Sequence, residues 1–433
     1  MTSTFTPDHA SALGGPDWLR ERRFAAATRA VDEPLPSVDE EVWRYSRIDE
    51  LDLAGFAPAT GESSGSVPSG AAAVLDAITA RAGALVVHNG VLVHAELASQ
   101  WSDRGVQLGR VVDLVGAEDL IGSVATEAHD VFGLLNDAFS VDPVALVVPR
   151  GVVVDQPVVV IDWVDQDGIA TFPRLIVRIG EDAEAEVLEY KGGGAVRALT
   201  VPITELDVAQ AGRLRYLDVQ LRGPDTWQIG TQVSSVGQDA NLVAAQAALG
   251  GDYARTRADC KLVGRGASGD LVAVYLGEGS QTLDFRTFQD HAAPDTTSNL
   301  LFKGAVGGHS RSVYTGLIRV RPEGRGTNAF QTNRTIKLSE HAWAESVPNL
   351  EIENNDVHCS HASTVGPIDE DQRFYLESRG VPPQVAERLV VEGFLFEALS
   401  QMPMAEATTA VWREIAQRLA RQVEADAADA VTV

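Results

Sequence analysis

The sequence predicts a mainly β protein with helical regions at both ends. From about residue 144 to about residue 361, short apolar or alternating runs such as Leu175 to Ile179 follow one another with little helical periodicity. Glycine-rich turns separate them at intervals of about 20 to 35 residues, which is typical of stacked rungs. We therefore place a β core at 141–365. Periodicity alone leaves open whether this core is a sandwich or a β-helix.

The N-terminal region, residues 1–140, begins with a helical pattern. Residues 16–56 are rich in Ala and Arg, and two prolines divide them into two predicted helices. Ser37 and Glu40 have the spacing of a capping box, so we expect the second helix to begin there and to carry Trp43.

The rest of this region predicts a linker, a hairpin and a further helix. Thr60 to Gly70 contains four serines and three glycines, a composition typical of loops. The pair Asn89-Gly90 separates two apolar runs and favours the type I′ turn of a β-hairpin. We expect a helix at about 124–139.

After the β core, residues 366–433 predict three helices. Asp369 is positioned to cap the first, and Gly380 is suited to end it. The second and third carry apolar residues at near-helical spacing, including Leu395 and Ile415.

Charge and hydropathy exclude several classes of partner. The chain carries 35 Lys plus Arg against 61 Asp plus Glu, a formal charge of −26. Such an acidic protein repels nucleic-acid phosphates and anionic lipid, so we expect neither nucleic-acid nor membrane binding. No apolar run approaches the roughly 20 residues of a membrane helix, and the first residues are unlike a secretory signal. These features predict a cytoplasmic protein.

The segment from Asn355 to Thr364 holds the side chains best suited to metal chemistry. If it is extended, Cys359 and His361 lie on one face, because alternate residues of a strand share a face. A thiolate and an imidazole suit iron or zinc, but two ligands cannot close a tetrahedral site. A second chain or sulfide would have to complete it. The alternative, a buried cysteine beside a hydrogen-bonded histidine, stays open at this point.

Motifs distributed along most of the chain resemble the SufB/SufD family of iron–sulfur cluster assembly proteins. They occur in the family's order, from the N-terminal region to the C-terminal helices. The matching segments are Glu41-Val-Trp-Arg-Tyr-Ser46, Leu135-Asn-Asp-Ala-Phe139, Asp290 to Ser298, Gln331-Thr-Asn-Arg334, Val357-His-Cys-Ser-His361, Asp371 to Gly380, and Glu392-Gly-Phe394. With only two cysteines, Cys260 and Cys359, the chain is closer to the SufD branch than to SufB-like chains, which typically carry more.

The resemblance implies a fold and a role. It implies that the β core is a right-handed parallel β-helix and that the chain is a non-catalytic scaffold that pairs with a SufB-like paralogue. An ATPase similar to SufC is implied to dock on the C-terminal helices, residues 384–425, and to supply the ATP hydrolysis. Cys359 and His361 would hold a transient cluster or iron shared with the partner chain, with no tightly bound cofactor. In isolation the chain could form a homodimer.

Two other functions are compatible with parts of the pattern. One is a β-helix enzyme acting on polysaccharide, and the other is a metal-dependent hydrolase, which would need further ligands within this chain. Among the remaining candidate groups, Cys260 alternates with charged residues and is expected to face the core. His291 and His309 are expected to make ordinary turn hydrogen bonds, and His341 has no identifiable partner.

Overall fold

The computed structural model describes residues 4–61 and 65–432, and it confirms a mainly β fold with helices at both ends. The helices are α1 Pro7–Ala12, α2 Asp17–Asp32, α3 Ser69–Ala77, α4 Ser99–Ser102, α5 Val131–Phe139, α6 Glu370–Ser378, α7 Pro383–Leu399 and α8 Ala405–Thr432. Within the described residues, no helix combines the length and the apolar character needed to cross a membrane.

The strands begin in the N-terminal region and end where α6 follows. They are β1 Ala57–Pro58, β2 Gly83–His88, β3 Val91–Leu97, β4 Gln107–Arg110, β5 Val144–Val148, β6 Val158–Val164, β7 Ile169–Thr171, β8 Arg174–Ile179, β9 Glu184–Gly193, β10 Ala198–Thr200, β11 Ile203–Val208, β12 Arg213–Gln220, β13 Thr226–Val236, β14 Asn241–Ala248, β15 Tyr253–Leu262, β16 Ser268–Gly277, β17 Thr282–His291, β18 Thr297–Val306, β19 Arg311–Val320, β20 Asn328–Lys337, β21 Trp343–Ile352 and β22 His358–Gly366.

These strands form a β-solenoid of about 8 turns in the described part of the chain. Successive strands alternate between two sheets, so that β15, β17, β19 and β21 pair in parallel in one sheet. The strands β16, β18, β20 and β22 pair in parallel in the other. We call these the first and the second sheet. The expected β-helix is therefore confirmed.

Each strand of the solenoid contributes one face to an interior core and one face to an outer layer. In β16, Leu271, Ala273 and Tyr275 point inward, where they pack with residues of both sheets. Val272 and Val274 of the same strand point outward and pack under the C-terminal helices. Because both faces are apolar, this strand reads as a continuous hydrophobic run, as buried parallel strands generally do.

The corners of the solenoid share a backbone conformation but not a residue type. Asp182, Ala211, Asp239 and Asp295 each have φ between 52° and 57°, and glycines occupy the corresponding corners at 266 and 326. One left-handed residue therefore recurs about every 30 positions. Because three residue types satisfy the same geometry, this period is invisible as a sequence repeat.

The N-terminal region differs from its prediction in one helix. The first helix is present as α2, but residues 37–56 form only short 3-10 turns at Glu41–Trp43, Ile48–Glu50 and Leu53–Gly55. The Ser37 backbone N–H does donate to the Glu40 side chain at 2.9 Å, which is one of the two bonds of a capping box, but Ser37 Oγ accepts from the Asp39 N–H and not from that of Glu40.

The reason is that the β core takes the backbone groups a helix would need. Arg255 donates to the Val42 carbonyl at 2.7 Å, and Arg286 donates to the Arg44 carbonyl at 2.8 Å. Tyr45 then adopts φ 67°, which an α-helix does not tolerate. The segment is a strap across the first sheet and not a helix.

The predicted hairpin, the helix at 124–139 and the linker at 60–70 can each be compared with the structure. The hairpin is confirmed, since β2 and β3 pair antiparallel around Asn89 and Gly90, with φ 49° and 87°. The helix expected at 124–139 begins only at Val131, because the backbone N–H groups of residues 122, 124 and 125 donate to the buried carboxylate of Glu205. Of the linker at 60–70, residues 62–64 lie outside the described residues, and α3 begins at Ser69.

The three predicted C-terminal helices are confirmed as α6, α7 and α8. Asp369 caps α6 by accepting from the backbone N–H groups of Asp371 and Gln372. Leu395 and Ile415 are fully buried against the outer face of the second sheet. Much of the apolar surface of α7 is therefore covered by the solenoid itself.

Candidate functional site at the open end of the solenoid

The solenoid is uncapped at the end where β21 and β22 lie. These are the last strands of their sheets, and within residues 4–61 and 65–432 no strand pairs with their outer edges. An edge strand presents free backbone donors and acceptors, which favour pairing with another chain. We call this surface the open end.

Residues that would continue the interior core are exposed at the open end. Leu350 and Ile352 lie in register with the fully buried Ile318 and Val320, yet they are 36% and 42% exposed. Val365 of β22 is 37% exposed. The core of the solenoid is thus left uncovered on its last turn, which is the form expected of a surface that a partner covers.

Cys359 and His361 lie on this surface, on the same strand. Cys359 is paired in register with the buried Ala329, and His361 with the buried Gln331. Because side chains alternate along β22, both lie on one face, as predicted, and this face is the interior side of the last turn. His358 and Ser360 point to the opposite side.

The two side chains differ in accessibility. Cys359 packs against Ile318, Val320 and Ala329 and is half-buried, and this burial raises the pKa of its thiol above the ordinary value. His361 is exposed. A neutral thiol becomes a metal ligand only by losing its proton, which a bound cation would favour.

The open end brings together fewer side chains than a metal site needs. Within the residues that the structure describes, no group of three or more His, Cys, Asp and Glu side chains could hold a metal ion. The nearby carboxylates Glu351 and Glu353 form ion pairs with Arg319. Cys359 and His361 are therefore two candidate ligands on an exposed strand.

His291, His309, His341 and Cys260 make packing or hydrogen-bonding contacts within the fold. His291 is fully buried, its ring nitrogens lie 2.8 Å from Thr296 Oγ1 and 2.9 Å from Ser298 Oγ, and burial lowers its pKa to about 4. His309 and His341 stack on each other with ring centroids 4.9 Å apart, a partner for His341 that the sequence does not reveal. Cys260 faces the interior core as predicted, and burial raises its pKa to about 11.

A second exposed surface lies on the C-terminal helices. Phe374 and Tyr375 of α6 and Phe396 of α7 are 70%, 59% and 56% exposed. Tyr375 lines a cleft of about 760 Å³ between these helices and the outer face of the second sheet. Lys303, at the base of this cleft, pairs with Glu397 and lies 4.4 Å from the ring of Phe394. Residues 422–425 of the docking surface predicted at 384–425 lie outside the side chains that the structure describes.

Comparison with known proteins gives consistent similarities. Residues 163–394 match the family model of the SUF system FeS cluster assembly SufBD core domain. An iron–sulfur cluster assembly SufBD family protein of Mycobacterium bovis is 35% identical over 296 residues, covering 66% of this chain and 72% of that protein. The iron–sulfur cluster assembly protein SufD of Bacillus subtilis is 25% identical over 90% of this chain and 91% of its own length. SufD of Escherichia coli is 26% identical over 89% of each.

The family model spans more than half of the chain and includes most of the solenoid, the open end, α6 and most of α7. The motifs, the β-solenoid and these similarities agree, and the chain belongs to the SufBD family of iron–sulfur cluster assembly proteins.

Proposed function

We propose that this chain is a SufD-type scaffold subunit, which pairs through its open end with a SufB-like paralogue. In this proposal the nascent iron–sulfur cluster is cargo built at the contact, and Cys359 and His361 are this chain's contribution to holding it. ATP hydrolysis belongs to a SufC-like partner and not to this chain, and the complex resides in the cytoplasm. Family membership favours this scaffold over the polysaccharide enzyme and the metal-dependent hydrolase.

The observation that supports the pairing is the exposure of core positions beside two metal-ligating side chains. Full burial of an Ile or Leu side chain is worth about 1.5–3 kcal/mol, so covering the 42% of Ile352 that remains exposed contributes about 1 kcal/mol. Leu350 and Val365 add similar amounts. A partner that covers these residues also excludes water from Cys359 and His361, which strengthens any charge interaction there.

The chemistry of the two ligands explains why the site is shared. A thiolate and an imidazole bind iron well, but a four-coordinate iron needs two further donors. Sulfide and side chains of the paralogue would supply them. A cluster bound by both chains is released when the chains separate, which suits a scaffold better than a resident cofactor site.

The proposed docking surface for the ATPase is the exposed aromatic part of α6 and α7. Phe374, Tyr375 and Phe396 stay exposed although the solenoid covers much of the apolar surface of α7. Exposed aromatic residues near a cleft are common anchors in protein interfaces.

The test compares two histidines of the same strand. The complex with a SufB-like and a SufC-like protein is assembled with His361→Ala or with His358→Ala, and cluster formation is followed by absorbance and by iron and sulfide analysis. We expect His361→Ala to lower the yield at least tenfold, because losing a ligand should cost no less than losing an outer hydrogen-bond partner of that ligand, and to leave thermal unfolding unchanged. His358→Ala, which alters the opposite face, should retain the wild-type yield. A wild-type yield with His361→Ala would show that the role proposed for this residue is wrong.

A further inference from the structure

The segment Gln331-Thr-Asn-Arg334 has no role in the function described so far, although it lies next to the open end. It belongs to β20, which pairs with β22. Gln331 and Asn333 are buried and point into the solenoid, whereas Thr332 and Arg334 point outward. The inward half of the segment thus lies one strand below Cys359 and His361.

Gln331 has an unusual environment for a buried amide. It is 1% exposed, and neither its Oε1 nor its Nε2 has a hydrogen-bond partner among the described residues. Leaving a buried polar group unpaired costs about 1–3 kcal/mol, so such groups generally have a reason to be retained.

The opposite sheet makes room for this side chain. A methyl group at Gly316 of β19 would overlap both Gln331 Nε2 and Tyr314 Oη. The absence of a side chain at this position therefore allows the Gln331 amide to extend across the interior. Asn333, two residues further along β20, differs in that it donates to Ser346 Oγ at 2.9 Å.

His361 is the neighbour of Gln331 at the open end. The two residues are paired in register on adjacent parallel strands, and their side chains share the interior face. Neighbouring strands lie about 4.8 Å apart, which is within reach of a glutamine amide and an imidazole. Gln331 offers an acceptor and two donors, and a neutral imidazole has one ring nitrogen of each kind.

We propose that Gln331 is the positioning residue of His361. When a partner covers the open end and water is excluded, the amide turns from Gly316 toward β22 and hydrogen-bonds to the imidazole nitrogen that does not face the iron. This bond fixes the orientation and the tautomer of the ring, as outer hydrogen bonds generally do for metal-ligating histidines. The inference rests on the role proposed above for His361.

The first test separates this role from folding. Gln331→Leu removes the unpaired amide and keeps a similar volume, so the isolated chain should be as stable as the wild type or more stable in thermal unfolding. Cluster yield in the assembled complex should fall about tenfold. Gln289→Leu is the matched control, because Gln289 is equally buried and also has an unpartnered Oε1, but is paired with Cys260 and Ile318 and not with His361. Its yield should stay at the wild-type level.

The second test asks whether Gln331 acts through His361. In the complex carrying His361→Ala, adding Gln331→Leu should lower the yield no further, because the two changes remove the same interaction. The conservative variant Gln331→Asn keeps an amide donor and acceptor at this position and should restore part of the yield that Gln331→Leu loses. A purely structural role predicts no such rescue, because Leu matches the volume of Gln more closely than Asn does.

The outcomes distinguish the two proposals. If His361→Ala lowers the yield and Gln331→Leu does not, the scaffold role stands and the positioning role of Gln331 is refuted. An additive loss in the double variant also refutes it. If neither single variant lowers the yield, the role proposed for His361 fails as well.

Discussion

A buried ion cluster inside the solenoid offers the sharpest test of the energetics. Lys191 Nζ lies 2.9 Å from Asp218 Oδ2 and 3.4 Å from Glu189 Oε2, and all three side chains are at most 6% exposed. The neighbouring pair of Arg222 and Asp162 is buried as well. Three carboxylates therefore lie beside two cations. We expect Lys191→Met to leave the three carboxylates with a single cation, Arg222, and so to destabilise the fold.

The expected loss follows from this geometry. Removing one partner of a buried ion pair costs about 3–5 kcal/mol, because the other charge stays buried without compensation. Burial already raises the pKa values of Asp162 and Asp218 above their ordinary values, against the neighbouring cations. Loss of the Lys191 charge must raise the pKa of Asp218 further, and each additional unit corresponds to about 1.4 kcal/mol.

The raised pKa values of Asp162 and Asp218 determine how the stability of the variant changes with pH. A carboxyl group whose pKa is raised on folding binds more protons in the folded state, so its contribution to stability is lost as pH rises through that raised pKa. The deficit of Lys191→Met should therefore be largest at about pH 8 and should shrink as the pH is lowered toward the ordinary range of Asp, about pH 4. Protonation of Asp218 removes the uncompensated charge.

The assay is urea unfolding of both chains followed by circular dichroism at pH 5, 6.5 and 8. Arg215→Met is the control, because Arg215 forms a 3.0 Å ion pair with Glu186 on the exposed side of the same sheet. Because the Arg215–Glu186 ion pair is solvated, losing it should lower the free energy of unfolding by less than about 1 kcal/mol at every pH. A Lys191→Met chain as stable as the control at pH 8, or a deficit that grows as pH falls, would refute the reasoning.

Three further outcomes are expected. The isolated chain should bind no iron or zinc tightly, because Cys359 and His361 supply only two ligands; one tightly held ion per chain in elemental analysis would contradict this. Phe396→Ser should weaken binding of a SufC-like ATPase at least tenfold in a binding assay. Val263→Ser is the control and should not weaken it, because Val263 is a 50% exposed residue on a solenoid turn. Equal binding by both variants would disprove the docking surface. Glu205→Gln should cost about 3 kcal/mol of unfolding free energy at pH 7. Although burial raises the pKa of Glu205, a buried arginine and three backbone N–H groups lower it below the ordinary value, so the wild-type carboxylate becomes protonated only at low pH and the difference should shrink there. A difference that does not depend on pH would argue against this expectation.

Local patterns predict local structure well in this chain. The pair Asn89-Gly90 predicts a two-residue hairpin turn because few other residues adopt its dihedral angles, and the turn is present. Half of the capping box also forms, since the Ser37 backbone N–H donates to the Glu40 side chain, but the predicted helix does not follow. Capping is a local interaction, whereas the arginines that capture the following carbonyls come from strands more than 200 residues further along the chain.

The sequence by itself determined the partition into helical ends and a β core, and the shared face of Cys359 and His361 on one strand. Both follow from periodicities of two to four residues, which short-range geometry controls. Only the tertiary structure decided that this strand is the last of its sheet, that Leu350 and Ile352 stay uncovered, and that Gln331 lies beneath His361. These features depend on register between strands about 30 residues apart, and the corners that set this register accept aspartate, alanine or glycine alike. A geometry that several residue types satisfy leaves no repeat in the sequence, so the contacts that it creates appear only when the turns are stacked.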